Sequence, residues 1–369
     1  MRIGLDAKRA FLNNTGLGNY SRAVIRALLE HYPGNHYFLF TPKIREDAFL
    51  EEMNAHENVT IVQPRSKFLH AYWRSFSIKR DILDHKLDVY HGLSNELPFT
   101  ITSSKVRAVV TMHDLIPFKD ESFQKIFDII TTKRKMWKAC KNADSIVAIS
   151  EQTKRDILHF FNTKENKIHV VYQPVGLHST KANLDVVKKF SLPPHYILQV
   201  GTVEYRKNIQ VILQAMIKIN DPGLHYVVVG RKKSFQKSLA SYGGNHGLGG
   251  HVHYMDAVSD EDLAGMYECA AAVMYPSMYE GFGLPIIEAI RFGKPVLTTK
   301  GGCFEEAGGP GAYYCDTESI DEVADTIQKI LNTDSSAMIE AGQKYILRFN
   351  SKSAADGLMA VYKGVDSFS

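Results

Sequence analysis

Residues 276–295 read PSMYEGFGLPIIEAIRFGKP. A β-rich run, 271–275, leads into this stretch, and another, 295–299, leaves it. The order is strand, glycine-containing loop, helix, strand, which is the pattern of a parallel βαβ unit. Pro285 is placed at the first helical position, where a missing N–H goes unnoticed. Glu280 then belongs to the loop and Glu288 to the second turn of the helix. That helix is otherwise apolar, through Ile286, Ile287, Ala289 and Ile290. A carboxylate among such neighbours needs a hydrogen-bonding partner. The helix start also favours an anionic ligand. A polyhydroxylated ligand carrying phosphate fits; a surface loop before a capped amphipathic helix is the plainer alternative.

The same alternation runs along the chain. Strands are expected at 2–6, 36–41, 59–63, 88–91, 106–112, 145–149 and 168–172, then at 195–200, 224–230, 251–255, 271–275, 295–299 and 312–315. Helical patterns fall between them at 17–31, 70–86, 122–142, 207–219 and 319–332. In 207–219, Ile209, Ile212, Leu213 and Met216 recur at helical spacing. The two series are separated near 174–194 by Pro174, Pro193 and Pro194. The expected class is α/β: two Rossmann-like domains, each with a parallel sheet, facing across a cleft. The domains are placed at 1–175 and 176–351.

At 369 residues the chain exceeds one comfortable core, and its 44% hydrophobic and 23% charged content is that of a globular protein. Cys140, Cys269, Cys303 and Cys315 show no metal-ligand spacing, which points to reduced thiols and a cytoplasmic setting. MRIGLD reads as a strand already, with no signal peptide expected before it. No apolar run approaches the roughly 20 residues that span a bilayer. The net charge of +4 is unevenly spread. Residues 1–180 hold 26 Lys and Arg against 19 Asp and Glu, and the remainder holds 18 against 21. The basic half suggests an anionic partner such as a diphosphate or a membrane surface. Nucleic acid is not expected, because no long basic run or binding motif appears.

Several groups stand where strands end. Thr15-Gly16-Leu17-Gly18-Asn19 opens a helix and offers either a ligand loop or a plain turn. Arg206 and Lys207 are expected at a helix start, where two cations oppose the helix dipole unless an anion lies between them. A salt bridge with Glu204 would account for one of them. His113-Asp114 close a strand and suit acid–base chemistry, ligand contact or a capped turn. Gly230-Arg231-Lys232-Lys233 follow another strand, with the two lysines read as a solvated helix start. Asp260-Glu261-Asp262 forms a D-x-D, but Ser259 before it reads as a helix N-cap with acids in the first turn. No metal site is expected there or elsewhere.

The stretch 276–295 resembles the E-x(7)-E motif of the retaining family 4 glycosyltransferases of GT-B fold. Residues 3–28, 109–117 (VVTMHDLIP), 143–157 (ADSIVAISEQTKRDI) and 197–213 (ILQVGTVEYRKNIQVIL) resemble further blocks of that family, in its order. The nearest likeness is to bacterial enzymes of surface-polysaccharide synthesis, many of them mannosyltransferases. The resemblance implies a nucleotide diphosphate sugar as donor, mannose as the preferred sugar, and a glycan or lipid-linked glycan as acceptor. It places Lys207, with Arg206 as contact or support, on the donor diphosphate. Glu288 falls on the ribose, and Glu280 with Gly281, Phe282, Gly283 and Leu284 falls on the sugar. His113 would position the sugar, the Gly16–Gly18 loop would face sugar and distal phosphate, and Gly230, Arg231 and Val258 would surround the base. Lys207, Arg206, Glu280 and His113 would carry catalysis, with no cofactor and no essential metal. The last helix, within 352–369, would cross back onto the first domain. The segment 301–311 departs from the family's Pro-Glu, which leaves Glu305 without a clear role. A sugar-nucleotide epimerase and a non-catalytic nucleotide-sugar binder are the rival readings. Residues 122–141, an apolar stripe (Phe123, Ile126, Phe127, Ile130) with Lys133, Arg134, Lys135, Trp137, Lys138 and Lys141, suggest weak peripheral contact with anionic membrane at the inner face.

Overall fold

A computed structural model describes residues 1–65, 72–103, 105–119, 126–175, 181–231, 235–256 and 258–364. The chain divides into two compact units: Met1–Gly176 with Phe349–Ser369, and Leu177–Arg348. Among the described residues there are thirteen strands, close to the thirteen expected runs.

Unit 1 carries β1 (Arg2–Asp6), β2 (His36–Phe40), β3 (Val59–Val62), β4 (Val89–Gly92), β5 (Arg107–Met112), β6 (Ser145–Ala148) and β7 (Ile168–Val170). They form one sheet in the order β3-β2-β1-β4-β5-β6-β7, and each neighbouring pair is parallel. Unit 2 carries β8 (Tyr196–Val200), β9 (His225–Val229), β10 (Val252–Met255), β11 (Ala272–Tyr275), β12 (Val296–Thr299) and β13 (Tyr313–Cys315). Their order is β10-β9-β8-β11-β12-β13, again parallel throughout. Both sheets reverse their winding direction beside the first strand, between β1 and β4 and between β8 and β11. The strands are nearly all apolar because both faces are covered by helices; β4 and β11 are buried at every position.

Helix Ile209–Ile219 buries Ile209, Ile212, Leu213 and Met216 as the spacing predicts, and Val211 and Ala215 as well. It begins two residues later than expected. Tyr205–Lys207 form a 3-10 turn, and Asn208 follows with a left-handed φ of 51°. Arg206 and Lys207 therefore stand before the helix and not on its first turn. The pattern 70–86 is also interrupted: a π turn at Trp73–Ser77 runs into helix Ile78–Asp84, and 70–71 lie outside the described residues. Helix Ile126–Asn142 buries Ile129 and Met136, whereas Ile130, expected on its apolar stripe, is 58% exposed. Phe123 and the side chains of Ile126 and Phe127 lie outside what is described. Among the described residues, no helix is long and apolar enough to cross a membrane.

The last helix, Ser351–Lys363, completes unit 1 against helix Gly16–His31 and buries Ala355, Leu358, Val361 and Tyr362. Tyr32 donates its hydroxyl to Asp356 at 2.8 Å. Deeper in, the Tyr362 hydroxyl is 2.7 Å from Nδ1 of His91, whose Nε2 lies 2.8 Å from Thr111 Oγ1. Burial, and then the neighbouring His113, hold His91 at about 3, so the ring is neutral. A neutral imidazole has one donor and one acceptor, and both are used. Tyr362→Phe removes one partner of a buried group and is expected to lower stability by about 1–3 kcal/mol. Urea unfolding checks this; a loss within error would mean that the helix is held by its apolar face alone.

Candidate active site

The carboxyl ends of β8 and β11 bring three charged side chains of unit 2 onto one point. The turn after β8 is fixed from beneath: Gln199 Nε2 donates to the Lys207 carbonyl at 2.8 Å, and the Tyr226 hydroxyl donates to Gln199 Oε1. Gly201, at φ +144°, leaves room for the lysine stem; a Cβ there would lie 3.1 Å from Lys207 Cε. Lys207 is only 6% exposed. Its ammonium donates to Glu280 Oε1 at 2.5 Å and to the Tyr275 hydroxyl at 3.2 Å, and lies over the Tyr275 ring. Arg206 Nη1 reaches the same Glu280 oxygen at 2.6 Å, while its Nη2 pairs with Glu204 at 2.8 Å. The salt bridge anticipated for one cation is thus present, and Glu280 is the anion between the two.

Burial pushes the Glu280 carboxyl up, but the charges and hydrogen bonds of Lys207 and Arg206 outweigh it and hold the group at about 2. Lys207 is lowered, by burial first and then by Arg206, against the pull of Glu280. Arg206 is raised, because Glu280 and Glu204 overcome its burial. The cluster pairs a buried Lys207 with a half-buried Arg206, and both meet on one carboxylate.

The loop beyond Glu280 turns into helix Leu284–Arg291 through Gly283, at φ +132°. Pro285 occupies the second helical position, one later than expected. Gly281 and Phe282 are buried and Leu284 is half-buried. Glu288 is indeed in the second turn. It is partly buried, and the Tyr267 hydroxyl donates to its Oε2 at 2.7 Å. Burial raises the Glu288 carboxyl, Tyr267 opposes that shift, and Asp260 adds to it. Tyr267 is the partner that the apolar setting of Glu288 demanded, although nothing in the sequence singled it out. Gly230 has a packing reason for being glycine: a Cβ would come 1.9 Å from the Gly201 carbonyl oxygen. Arg231 holds Val203 through its backbone carbonyl and has an exposed side chain. Val258 is half-buried; Ala257, Lys232 and Lys233 lie outside the described residues.

The D-x-D is a helix start. Ser259 accepts from the Asp262 amide at 3.2 Å, and the Asp262 carboxylate takes Asn183 at 2.8 Å and Lys189 at 2.5 Å. Glu305 accepts from the Gly301 amide at 2.8 Å and closes its own helix entry.

In unit 1, Gly18 cannot carry a side chain, since a Cβ would meet the Asn13 carbonyl oxygen at 1.7 Å; Gly16 is exposed with open space around it. Thr15 does not cap the helix, its hydroxyl turning to Asn13. His113 is buried at the end of β5. Its Nε2 donates to the Leu93 carbonyl at 2.8 Å, which leaves Nδ1 as the acceptor. Burial lowers it to about 4, with the Leu93 bond opposing and Arg9 adding. Tyr20, on the helix that Gly16 opens, packs edge-on to His113 with centroids 4.5 Å apart. Asp114 accepts from the Ile116 amide at 3.1 Å and caps the following turn.

Both halves of the chain match glycosyltransferase models: "Glycosyltransferase Family 4" over residues 14–178 and "Glycosyl transferases group 1" over 181–345. The chain belongs to the family 4 glycosyltransferases. The O-antigen chain mannosyltransferase B of Escherichia coli is 26% identical over 87% of this glycosyltransferase and 88% of its own length. The O-antigen chain mannosyltransferase RfbU of Salmonella typhimurium is 27% identical over 60% and 63%. Among solved structures, the sucrose-phosphate synthase of Thermosynechococcus elongatus superposes with a TM-score of 0.77 at 18% identity, covering 99% of this chain and 98% of that one. HepE of Anabaena, in complex with UDP, gives 0.75 at 16%, covering 99% and 100%. The glycosyltransferase shares the GT-B fold with them.

The ion pair has a measurable acid signature. Glu280 titrates lower in the folded chain than its ordinary 4.5, so its contribution to stability is complete above that value and is lost as pH falls towards about 2. Glu280→Gln is expected to flatten the pH dependence of urea stability in this window. An unchanged slope would mean that other carboxylates carry it.

Proposed function

We propose that the chain transfers a hexose, mannose by preference, from a nucleotide diphosphate sugar to a glycan or lipid-linked glycan, with retention at the anomeric carbon. The observation that carries this reading is the convergence of Lys207 and Arg206 on Glu280 at the carboxyl edge of the unit 2 sheet. A buried and a half-buried cation there suit a diphosphate whose charge grows as its bond to the sugar breaks. Fixed cations in a site shielded from water need no reorganisation at that moment, which is the work that a metal does elsewhere. Mannose is preferred because the relatives above are mannosyltransferases, and a nucleotide donor is supported by neighbours bound to UDP and UDP-glucose. The O-antigen relatives support surface polysaccharide as the product class, and a cytoplasmic setting is part of the same proposal.

In this reading Glu288 holds ribose hydroxyls, and Glu280 with the amides of 281–283 holds sugar hydroxyls. The Gly16 loop faces the sugar and distal phosphate. Gly230, Arg231 and Val258 border the base. His113, neutral and fixed by Leu93, accepts a hydroxyl at Nδ1 and positions the sugar. The sugar–phosphate C–O bond breaks and the new glycosidic C–O bond forms on the same face. The acceptor's proton passes to the leaving diphosphate oxygen, so no protein nucleophile is required. Labelled nucleotide sugars test the assignment, since transfer, epimerisation and unchanged binding give different products. Lys207→Ala should cut turnover by about 100-fold or more while weakening donor binding less; an equal loss in both would make Lys207 a ground-state contact. The product should keep the donor's anomeric configuration by proton NMR, and EDTA should leave the rate intact. An inverted product or a metal requirement overturns the corresponding part.

Peripheral contact with anionic membrane is part of the same proposal. Tyr72, Phe76, Ile130 and Trp137 are exposed on the two helical segments that also carry the basic side chains, with Lys141 over Trp137. Each cation near such a surface contributes about 1 kcal/mol. Lys138→Glu with Lys141→Glu should abolish sedimentation with anionic liposomes at low salt and leave nucleotide binding unchanged. If the unaltered chain ignores such liposomes, this part fails.

A further inference from the structure

Tyr267 stands near the end of helix Asp260–Cys269 and is wholly buried. The helix is pinned in two places. At its start Ser259 accepts from the Asp262 amide, and the Asp262 carboxylate is held by Asn183 and Lys189. One residue before Tyr267, the Met266 carbonyl accepts from the Tyr196 hydroxyl of β8 at 2.8 Å. The Tyr267 ring stacks on Phe292, with centroids 5.3 Å apart and planes 6° from parallel. Phe292 is itself tied to Glu288, because its amide donates to the Glu288 carbonyl at 3.0 Å. Helix position and ring plane are therefore both set where the hydroxyl meets Glu288 Oε2, at 2.7 Å.

Packing does not need that hydroxyl. A phenylalanine would fill the same volume and stack on Phe292 in the same way. Among the described residues the hydroxyl has no other hydrogen bond, so what it contributes is made to Glu288. Burial first, and then the Glu288 charge, raise Tyr267 well above its ordinary 10, so the phenol keeps its proton and is the donor. Burial also raises Glu288, and the Tyr267 bond opposes that shift. An ionised carboxylate accepts at both oxygens, whereas a protonated one gives up part of that capacity. Only Oε2 is engaged: Glu288 Oε1 has no partner among the described residues, and the side chain is not fully covered.

Two acceptor oxygens, one anchored from the protein side and one open, suit a pair of adjacent hydroxyls. The 2′ and 3′ hydroxyls of a ribose are such a pair, and a 2′,3′-dideoxyribose has neither. Tyr267 has no exposed surface of its own and acts through Glu288.

We propose that Tyr267 is a positioning residue that aims Glu288 at the ribose diol, and so sets a preference of this glycosyltransferase for ribonucleoside over deoxyribonucleoside diphosphates. The proposal rests on the reading of Glu288 as the ribose contact and adds the group that makes that contact selective.

The full chain would be titrated calorimetrically with GDP, UDP and their 2′,3′-dideoxy counterparts. The ribose preference is the dissociation constant of the dideoxy ligand divided by that of the ribose ligand with the same base. Tyr267→Phe should lower this ratio about tenfold, the scale for a hydrogen bond to a charged group, by weakening the ribose ligand and leaving the dideoxy ligand unchanged. Glu288→Ala should lower it at least as far. In the Glu288→Ala background, Tyr267→Phe should change it no further, since the two groups act as one. A merely structural tyrosine would weaken both ligands together. Phe292→Leu, which frees the ring without removing the hydroxyl, should lower the ratio by less in the same direction and serves if Tyr267→Phe does not fold. Equal losses for the two ligands, or an unchanged ratio in a folded variant, overturn the role of Tyr267, while a lowered ratio in Glu288→Ala keeps the ribose reading. An unchanged ratio in Glu288→Ala overturns the ribose reading and this proposal with it, and so does failure of all four nucleotides to bind.

Discussion

A single carboxylate oxygen of Glu280 receives Lys207 at 2.5 Å and Arg206 at 2.6 Å, and the carboxyl edge of unit 2 is built around that meeting. A lysine this deeply buried is unfavourable without an anion. The surroundings therefore serve one purpose. Gly201 admits the stem, Gln199 fixes the turn, Asn208 ends the turn so that the helix starts behind it, and Tyr275 offers its hydroxyl and ring. The cations reach their positions during folding, so a ligand that takes them over need not order two long side chains first.

Unit 1 solves the same problem in the opposite way. Its interior at β4 and β5 holds histidines that burial keeps neutral: His91 bonds Tyr362 directly and reaches Tyr20 through Thr111, while His113 bonds the Leu93 carbonyl. Its buried charges are instead paired with one another, Arg74 meeting both Asp6 and Glu96 at 2.6 Å. A neutral hydrogen-bonded interior is insensitive to pH over the physiological range, since His91 and His113 titrate at about 3 and about 4. The two parallel sheets thus present different chemistry from the same architecture.

The strands were legible in the sequence because a sheet covered on both faces needs unbroken apolar runs, and such runs as YILQV and HYVVV tolerate no other reading between turn signals. Glu280 and Glu288 were legible because Pro285 and the flanking glycines mark where loop becomes helix. The turn at 205–208 was not, since a helical period cannot reveal that Asn208 adopts a left-handed conformation and delays the helix. Nor was the reason for Gly230, which lies in the backbone of Gly201, 29 positions away. Pairings such as Tyr267 with Glu288 or Arg74 with Asp6 span 21 and 68 residues. No local pattern encodes them; only the topology brings the partners together. Ile130 shows the limit of periodicity itself, because an amphipathic stripe says that one face is apolar and not where the neighbouring elements end.

The last helix has a consequence for how the molecule is made. Unit 2 is a continuous stretch of chain, whereas unit 1 takes its first strands from one end and helix Ser351–Lys363 from the other. During vectorial synthesis the second unit emerges whole while the first still lacks the surface that covers His91 and the helix Gly16–His31. The unit whose strands are made earlier is therefore completed later, and until helix Ser351–Lys363 is made it presents an open apolar seam. A premature stop shortly before residue 351 would spare every residue of the Lys207–Glu280 cluster and strike instead the unit translated several hundred codons earlier.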